Sequence, residues 1–314
     1  MTQSPPTAAA RTQPAQPAVP AQGLSVVIPA YNEVNGIAET IHDLHTELDK
    51  LNGLPYEVLI VDDGSTDGTV QAAQVGANTR VIPHRVNRGY GAALKTGIRH
   101  AAFPLVCIID ADGTYPATHI AELLEVYQTQ DADMVVGART GETVQTPLIR
   151  RPAKWAIRQL ASYVAGQPIP DINSGLRLFE RDVVTRFFAI LPDAFSFTTT
   201  ITLTMLMNGY LVRYVPIDYY HRIGQSKIKP IRDTLNFTQL VLKIGLYFQP
   251  LKVFLPLSAG LMLLALAVGG VTALLGRLAD VSALVLAVSS IQALMLGLLA
   301  EVINYRIPHE YKNG

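Results

Sequence analysis

Three acidic stretches hold most of the residues that could do chemistry in this 314-residue chain: "PAYNE" (29–33), "VDDGSTDGT" (61–69) and "DADGTYP" (110–116). Each follows an apolar run. In the third, Asp110 and Asp112 stand one residue apart. Two such carboxylates repel, and one would tend to keep its proton unless something offsets the charge. One resolution is a helix cap, with Thr114 and Tyr115 completing a turn before Pro116 at the first helical position. The other is a divalent cation. No histidine or thiol accompanies these acids, and oxygen-only ligation suits Mg2+ or Mn2+. Mg2+ commonly takes one or two carboxylates and completes its shell with substrate phosphates. Two aspartates at a strand end can face one cation if the strand alternation persists or the loop turns. The acids at the neighbouring strand ends favour the cation.

The elements that must position them are legible in the hydrophobic pattern. "LSVVIPA", "YEVLIVDD", "TRVIPH", "PLVCIID" and "ADMVVGAR" read as strands. "NEVNGIAETIHDLHTEL", "TDGTVQAAQVG", "GYGAALKTGIRHA" and "PATHIAELLEVYQ" read as the helices between them. Continuous apolar strands alternating with helices predict an α/β domain with a parallel sheet. In such sheets ligands bind at the carboxyl ends of strands, where all three acidic stretches fall. The loop after the first strand lacks the dinucleotide glycine fingerprint, and "GYGAAL" lacks its third glycine. A phosphate-binding P-loop is also missing, so nicotinamide and ATP chemistry are disfavoured.

Lys plus Arg and Asp plus Glu are 25 each, so net charge gives no support for a nucleic-acid partner. The single cysteine, Cys107, excludes an internal disulfide and a cysteine metal site. Residues 1–22 are rich in Pro, Ala and Gln, lack an apolar signal core and read as a disordered tail. The C-terminal third is different. Val253–Leu275 and Val281–Ala300 contain no charge. Each has the roughly 20 residues that cross a bilayer core. They read as a transmembrane hairpin, the alternative being two buried helices of a soluble domain. Arg222, Lys227, Lys229, Arg232, Lys243 and Lys252 precede the first span, Arg306 and Lys312 follow the second, and Arg277 lies between. The positive-inside rule places the large domain and both termini in the cytoplasm. Residues 230–250 fit an amphipathic helix in the membrane interface or a surface helix packed on the domain. The expected organisation is a tail at 1–22, a catalytic domain at 23–229, an interface helix at 230–250, two spans within 251–303 and a tail at 304–314. The spans leave a homo-oligomer open.

"VVIPAYNE", "VDDGSTDGT", "NRGYGAAL", "DADGTYP" and "NSGLRLF", in this order, resemble the family-2 glycosyltransferases of GT-A fold, a Rossmann-like nucleotide-sugar domain. "HRIGQSK" followed by an amphipathic segment and apolar spans resembles their polyprenyl-phosphate branch, which includes dolichyl-phosphate mannose synthase. The resemblance implies a nucleotide-sugar donor, a polyprenyl-phosphate acceptor, and Mg2+ or Mn2+. It implies that Pro29, Tyr31, Glu33, Asp63, Asp110 and Ala111 hold the nucleotide. Asp110, Asp112 and Thr114 would hold the metal, Thr114 standing where some relatives have Gln. Arg139 would lie near the acceptor phosphate and Arg222 near the donor phosphates, with Ser226 and Lys227 completing the latter motif. Lys227 and Lys229 could instead hold anionic lipid. Arg151 and Lys154 are further acceptor-phosphate candidates, in a segment that matches loosely. Thr200 stands where many relatives carry Glu.

The reaction implied is inverting transfer of a hexose from a nucleoside diphosphate to a lipid phosphate, with Asp112, Arg139 and Arg222 as the catalytic candidates. Rival readings are a processive synthase, a membrane-anchored transferase with another acceptor, and a non-catalytic nucleotide-sugar-binding membrane protein. Against the first, Trp155 lies in "RPAKWAIRQ", which is not the "QxxRW" motif of such synthases.

Overall fold

A computed structural model describes residues 23–51, 53–140, 151–220, 230–276 and 281–306; side chains at 151–154, 230–236 and 305–306 are not described. Seven strands form one sheet: β1 (Leu24–Ala30), β2 (Tyr56–Asp62), β3 (Thr79–Pro83), β4 (Leu105–Ile108), β5 (Met134–Ala138), β6 (Arg177–Glu180) and β7 (Val212–Pro216). Their order is β3-β2-β1-β4-β6-β5-β7. The parallel sheet expected from sequence is therefore corrected to a mixed one, because β6 runs antiparallel to both β4 and β5. β6 escapes the pattern because it is only four residues, "RLFE", and opens on a charged side chain.

The helices are α1 (Ile37–Leu48), α2 (Thr69–Ala72), α3 (Tyr90–His100), α4 (His119–Thr129), α5 (Arg151–Ala165), α6 (Arg181–Arg186), α7 (Phe197–Met207), α8 (Pro230–Phe248), α9 (Pro250–Leu274) and α10 (Val281–Arg306). Both sheet faces are covered, which is why the strands read as unbroken apolar runs. Val26, Ile28, Val58, Ile60 and Cys107 pack with α1 and α4 on one face. Val27, Leu59, Val106 and Ile108 pack with α3, α5 and α7 on the other. Three helices are shorter than their sequence patterns. α1 begins at Ile37 because residues 32–34 bond to the β2–α2 loop instead. α2 is a single turn, and only its Thr69 is buried. α4 starts at His119, not Pro116, and Thr118 makes no side-chain cap.

α8 packs on the domain along one face. Val241, Ile244 and Phe248, one face of the amphipathic pattern, are buried in the domain core beside α5 and α7. Their apolar face is spent on the protein, leaving Leu246 and Tyr247 exposed. α9 and α10 are long and apolar enough to cross a membrane. They are not core helices of a soluble domain, since Leu263, Leu266 and Leu284 are 68%, 65% and 65% exposed. Ser258 and Ser290 bond reciprocally between the two helices, each hydroxyl reaching the other's carbonyl at 2.8–2.9 Å. At the head of α9, Tyr163 Oη donates to the Lys252 carbonyl at 3.0 Å and Lys252 Nζ donates to the Val164 carbonyl at 3.2 Å. The hairpin is thus tied directly to the C-terminal end of α5.

Packing of α8 on the domain predicts that Ile244→Ala costs about 2–5 kcal/mol, the usual range for emptying a buried Ile site. Leu246→Ala, on the exposed face, should cost under about 0.5 kcal/mol. Denaturant unfolding of the full chain in micelles, followed by Trp155 emission, measures both.

Candidate active site

Strands β2, β1 and β4 are neighbours, so the loops that follow them meet at one edge of the sheet. Because β6 is antiparallel, the loop that precedes it reaches the same edge, as does Arg139 directly after β5. The first two loops are zipped together. Asn32 N donates to Ser65 Oγ at 2.9 Å, Thr66 N donates to Asn32 Oδ1 at 2.9 Å, and Glu33 N donates to Thr69 Oγ1 at 3.0 Å. Pro29 is buried in β1, opposite Val61 of β2, while Tyr31 is exposed and Glu33 half-buried.

Asp63 is buried and well supplied with donors. Arg88 N donates to Oδ1 at 2.9 Å, Gly89 N donates to Oδ2 at 2.8 Å, and His84 Nδ1 lies 2.7 Å from Oδ1. The carboxylate therefore anchors the loop that leads into α3. Its neighbour Asp62 is different. Oδ2 accepts from Ser65 N at 3.1 Å, but the buried Oδ1 has no hydrogen-bond partner among the described residues. A buried acceptor left without a donor is costly.

At the third loop, Thr114 N and Thr114 Oγ1 donate to Asp112 Oδ1 at 3.2 and 2.6 Å. Gly113, at φ +68°, makes this turn without the strain a side chain would meet. The carboxylate thus helps to turn its own loop. Ala111 is buried, and its carbonyl accepts from Thr40 Oγ1 at 3.2 Å. Asp110 Oδ1 accepts from Tyr90 Oη at 2.8 Å. Burial, then the Asp110 carboxylate, holds the Tyr90 phenol well above its ordinary value, so it remains a donor at neutral pH.

Residues 171–176 join this loop to Arg139. Asp171 takes the Arg139 guanidinium in a bidentate pair, Nε to Oδ2 at 2.7 Å and Nη2 to Oδ1 at 2.9 Å. The same guanidinium lies over the Tyr219 ring, 5.2 Å from its centroid. Gly175 lies so close to Asp110 that any Cβ there would collide with the carboxylate. Its amide donates to Tyr115 Oη at 2.7 Å. One short loop therefore touches both Asp110 and the partner of Arg139.

Donor chemistry at this edge is oxygen only, with two carboxylates on one turn. No cluster of three or more His, Cys, Asp or Glu suited to a metal occurs among the described residues. That set fits a hard cation whose remaining ligands come from a substrate diphosphate. Thr114 is fully buried, and both its donors go to Asp112. Tyr220 N donates to the Thr114 carbonyl at 3.0 Å, so the chain enters residues 221–229 from the metal-type loop. Arg222, Ser226 and Lys227 themselves lie outside the described residues, and the side chains of Arg151 and Lys154 are likewise not described. Thr200 is buried in α7, where its hydroxyl donates back to Ser196 O. Sequence reasoning passed over Tyr90, His84, Asp171 and Gly175. The aromatic inside "RGYG" and the acid just before "NSG" were the available signals.

Burial alone would raise the Asp171 carboxyl. The Arg139 guanidinium and the amides of Arg139 and Asn173 outweigh it and bring it down to about 2. The unfolded value is about 3.9. A depressed carboxyl stabilises the fold above its unfolded value, and that contribution is lost as pH falls through the folded one. The stability difference between wild type and Asp171→Asn should therefore be flat above about pH 4 and shrink between about pH 4 and about pH 2. Urea unfolding across that range checks it.

Comparison with known proteins agrees with this geometry. Residues 249–305 match a family described as the GtrB C-terminal hairpin. Glycosyltransferase AglJ of Haloferax volcanii is 32% identical over 66% of this chain and 67% of its own. A dolichyl-phosphate hexose transferase of the same organism is 28% identical over 71% and 94%. An undecaprenyl-phosphate mannosyltransferase of Micrococcus luteus is 28% identical over 64% and 86%. Glucosyl-3-phosphoglycerate synthase of Mycobacterium tuberculosis, solved with Mn2+, uridine diphosphate and phosphoglyceric acid, superposes with a TM-score of 0.56 at 21% identity, over 72% of this chain and 78% of that one. That likeness shows the fold to be of GT-A type. Residues 25–188, just over half of the chain, match glycosyl transferase family 2, and the protein belongs to that family as a glycosyltransferase.

Proposed function

We propose that the protein transfers a hexose from a nucleoside-diphosphate sugar to a polyprenyl phosphate at the membrane surface. The observation that carries this reading is the 171–175 loop, which brings the metal-type carboxylate Asp110 and the paired Arg139 together in a chain that ends in an apolar hairpin. Named relatives acting on dolichyl and undecaprenyl phosphates support the acceptor class. A Mn2+-containing neighbour of the same fold supports a divalent metal, Mg2+ or Mn2+.

Asp110 and Asp112 would hold the cation together with the donor diphosphate. When bound, the cation neutralises charge developing on the leaving group. Tyr90 orients Asp110, and Thr114 acts through Asp112, whose Oδ1 it fixes. Pro29, Tyr31, Glu33, Asp63 and Ala111 shape the nucleotide pocket. Arg139 retains donors beyond the two that Asp171 occupies, and these are free in geometry to meet an acceptor phosphate. Arg151, Lys154, Arg222, Ser226 and Lys227 would add positive charge and hydrogen bonds around the two phosphate groups.

The acceptor needs no strong base. A phosphate monoester has its second pKa near about 6 and is largely dianionic at neutral pH. One of its oxygens attacks the anomeric carbon, the bond from that carbon to the diphosphate oxygen breaks, and configuration inverts. The products are the nucleoside diphosphate and a lipid-linked hexosyl phosphate. The protein's work is to bring two anions together and hold them in line. An open groove of about 580 Å3 is lined by Arg158, Tyr163, Ile169 and Pro170 among others, beside the end of α5 that is bonded to α9. α8, packed on the domain, would present Leu246 and Tyr247 to the membrane interface. The basic flanks of the spans favour a cytoplasmic catalytic domain and cytoplasmic termini.

The test is transfer from a panel of nucleotide sugars to polyprenyl phosphate by the full chain in micelles. Chelation should abolish product and Mg2+ or Mn2+ restore it. Asp112→Ala should remove transfer while membrane insertion persists; undiminished transfer by that variant would sink the assignment. Gly175→Ala, by pushing Asp110 aside, should lower kcat about 100-fold in a folded protein.

A further inference from the structure

Arg177 heads β6 in register between Ile108 of β4 and Val136 of β5. It is completely buried, and among the described residues no carboxylate lies within ion-pair distance of it. Asp171 acts on it only from beyond contact distance. A buried charge without a carboxylate in contact is expensive, and an apolar side chain of similar volume would fill the same space at less cost. What the guanidinium does have is a set of neutral acceptors. Nε donates to the Ser174 carbonyl at 2.8 Å, Nη2 to the Ile172 carbonyl at 3.0 Å and Nη1 to Thr202 Oγ1 at 2.5 Å. Two of these acceptors belong to the loop that precedes Arg177 itself, and the third is on α7. Thr199 of α7 makes a second tether by donating to Asn173 Oδ1.

The loop so folded carries, within five residues, the two contacts on which both ends of the site depend. Asp171 clamps Arg139, and Gly175 packs against the Asp110 carboxylate. We infer that Arg177 is a positioning residue for both halves of the transfer site: from inside the core it folds residues 172–176 so that the donor-side carboxylate and the acceptor-side arginine keep a fixed spacing. This rests on the roles proposed above for Asp110 and Arg139. Only a planar fork reaches three divergent acceptors at once; an ammonium is a point charge and would satisfy one or two.

The test uses the full chain in micelles with Arg177→Met, Arg177→Lys and Thr202→Val. Thermal unfolding, hydrogen exchange at residues 171–176 and calorimetric binding of Mn2+ with UDP or GDP require no acceptor. Exchange in this loop should quicken by about 10-fold or more in every folded variant. Mn2+–nucleotide binding should weaken, even where Arg177→Met unfolds at the same temperature as wild type. With acceptor present, kcat should fall about 100-fold and KM for polyprenyl phosphate should rise. A purely structural Arg177 would instead lower the unfolding temperature while loop exchange, Mn2+–nucleotide binding and kcat per folded molecule stay at wild-type values, and that result overturns the inference. If both Arg177 variants fail to fold, Thr202→Val decides, and unchanged loop exchange in it is the overturning result. If wild-type protein transfers nothing to polyprenyl phosphate while the variants still show the loop and binding changes, the proposed reaction is removed and the role of Arg177 stands.

Discussion

Like charges crowded at one edge of the sheet are the constraint to which the rest of the structure answers. Asp62, Asp63, Asp110, Asp112 and Asp171 all stand at or beside the carboxyl ends of the strands or on the loop that joins them. Such a group is tolerable only if each carboxylate is met by donors or by cations. Asp63 is met by two backbone amides and His84, Asp110 by Tyr90, Asp112 by Thr114, and Asp171 by Arg139. Asp62 keeps one buried oxygen unmet. Most donors at this edge are neutral, so they orient the carboxylates without cancelling their charge.

The antiparallel strand β6 is the architectural device that brings Asp110 and Arg139 to one loop. A purely parallel sheet would send the connection before that strand to the opposite edge. Reversing one strand places residues 171–176 among the carboxyl ends of β4 and β5, against Asp110 on one side and Arg139 on the other. The same loop continues back through residues 166–170 to α5, whose last turn is bonded to the head of α9. A short path, closed by two hydrogen bonds at Lys252, thus links the apolar hairpin to residues 171–176.

Much of this was legible from local pattern. Apolar runs of strand length ended at the acids, and helical periodicity separated them, so the β1, β2 and β4 loops could be assigned to one edge before any coordinates. The uncharged runs of α9 and α10 were equally plain, because no soluble core helix needs that much continuous apolar surface. What misled was the same rule applied to short or two-purpose segments. "RLFE" is too brief to show a period, and α8 has an amphipathic pattern that a bilayer and a protein core satisfy equally well. Val241, Ile244 and Phe248 chose the core because α5 and α7 offered a matching apolar surface nearby.

The residue types of the site, its place at strand ends and the apolar hairpin follow from composition and period along a single stretch of chain. Which side chains support them depends on contacts between distant stretches. Tyr90 meets Asp110 across 20 residues, Asp171 meets Arg139 across 32, and Arg177 meets Thr202 across 25. Hydrogen bonds of that kind are set by sheet order and strand direction, and no local pattern encodes the reversal of β6 that creates the last two.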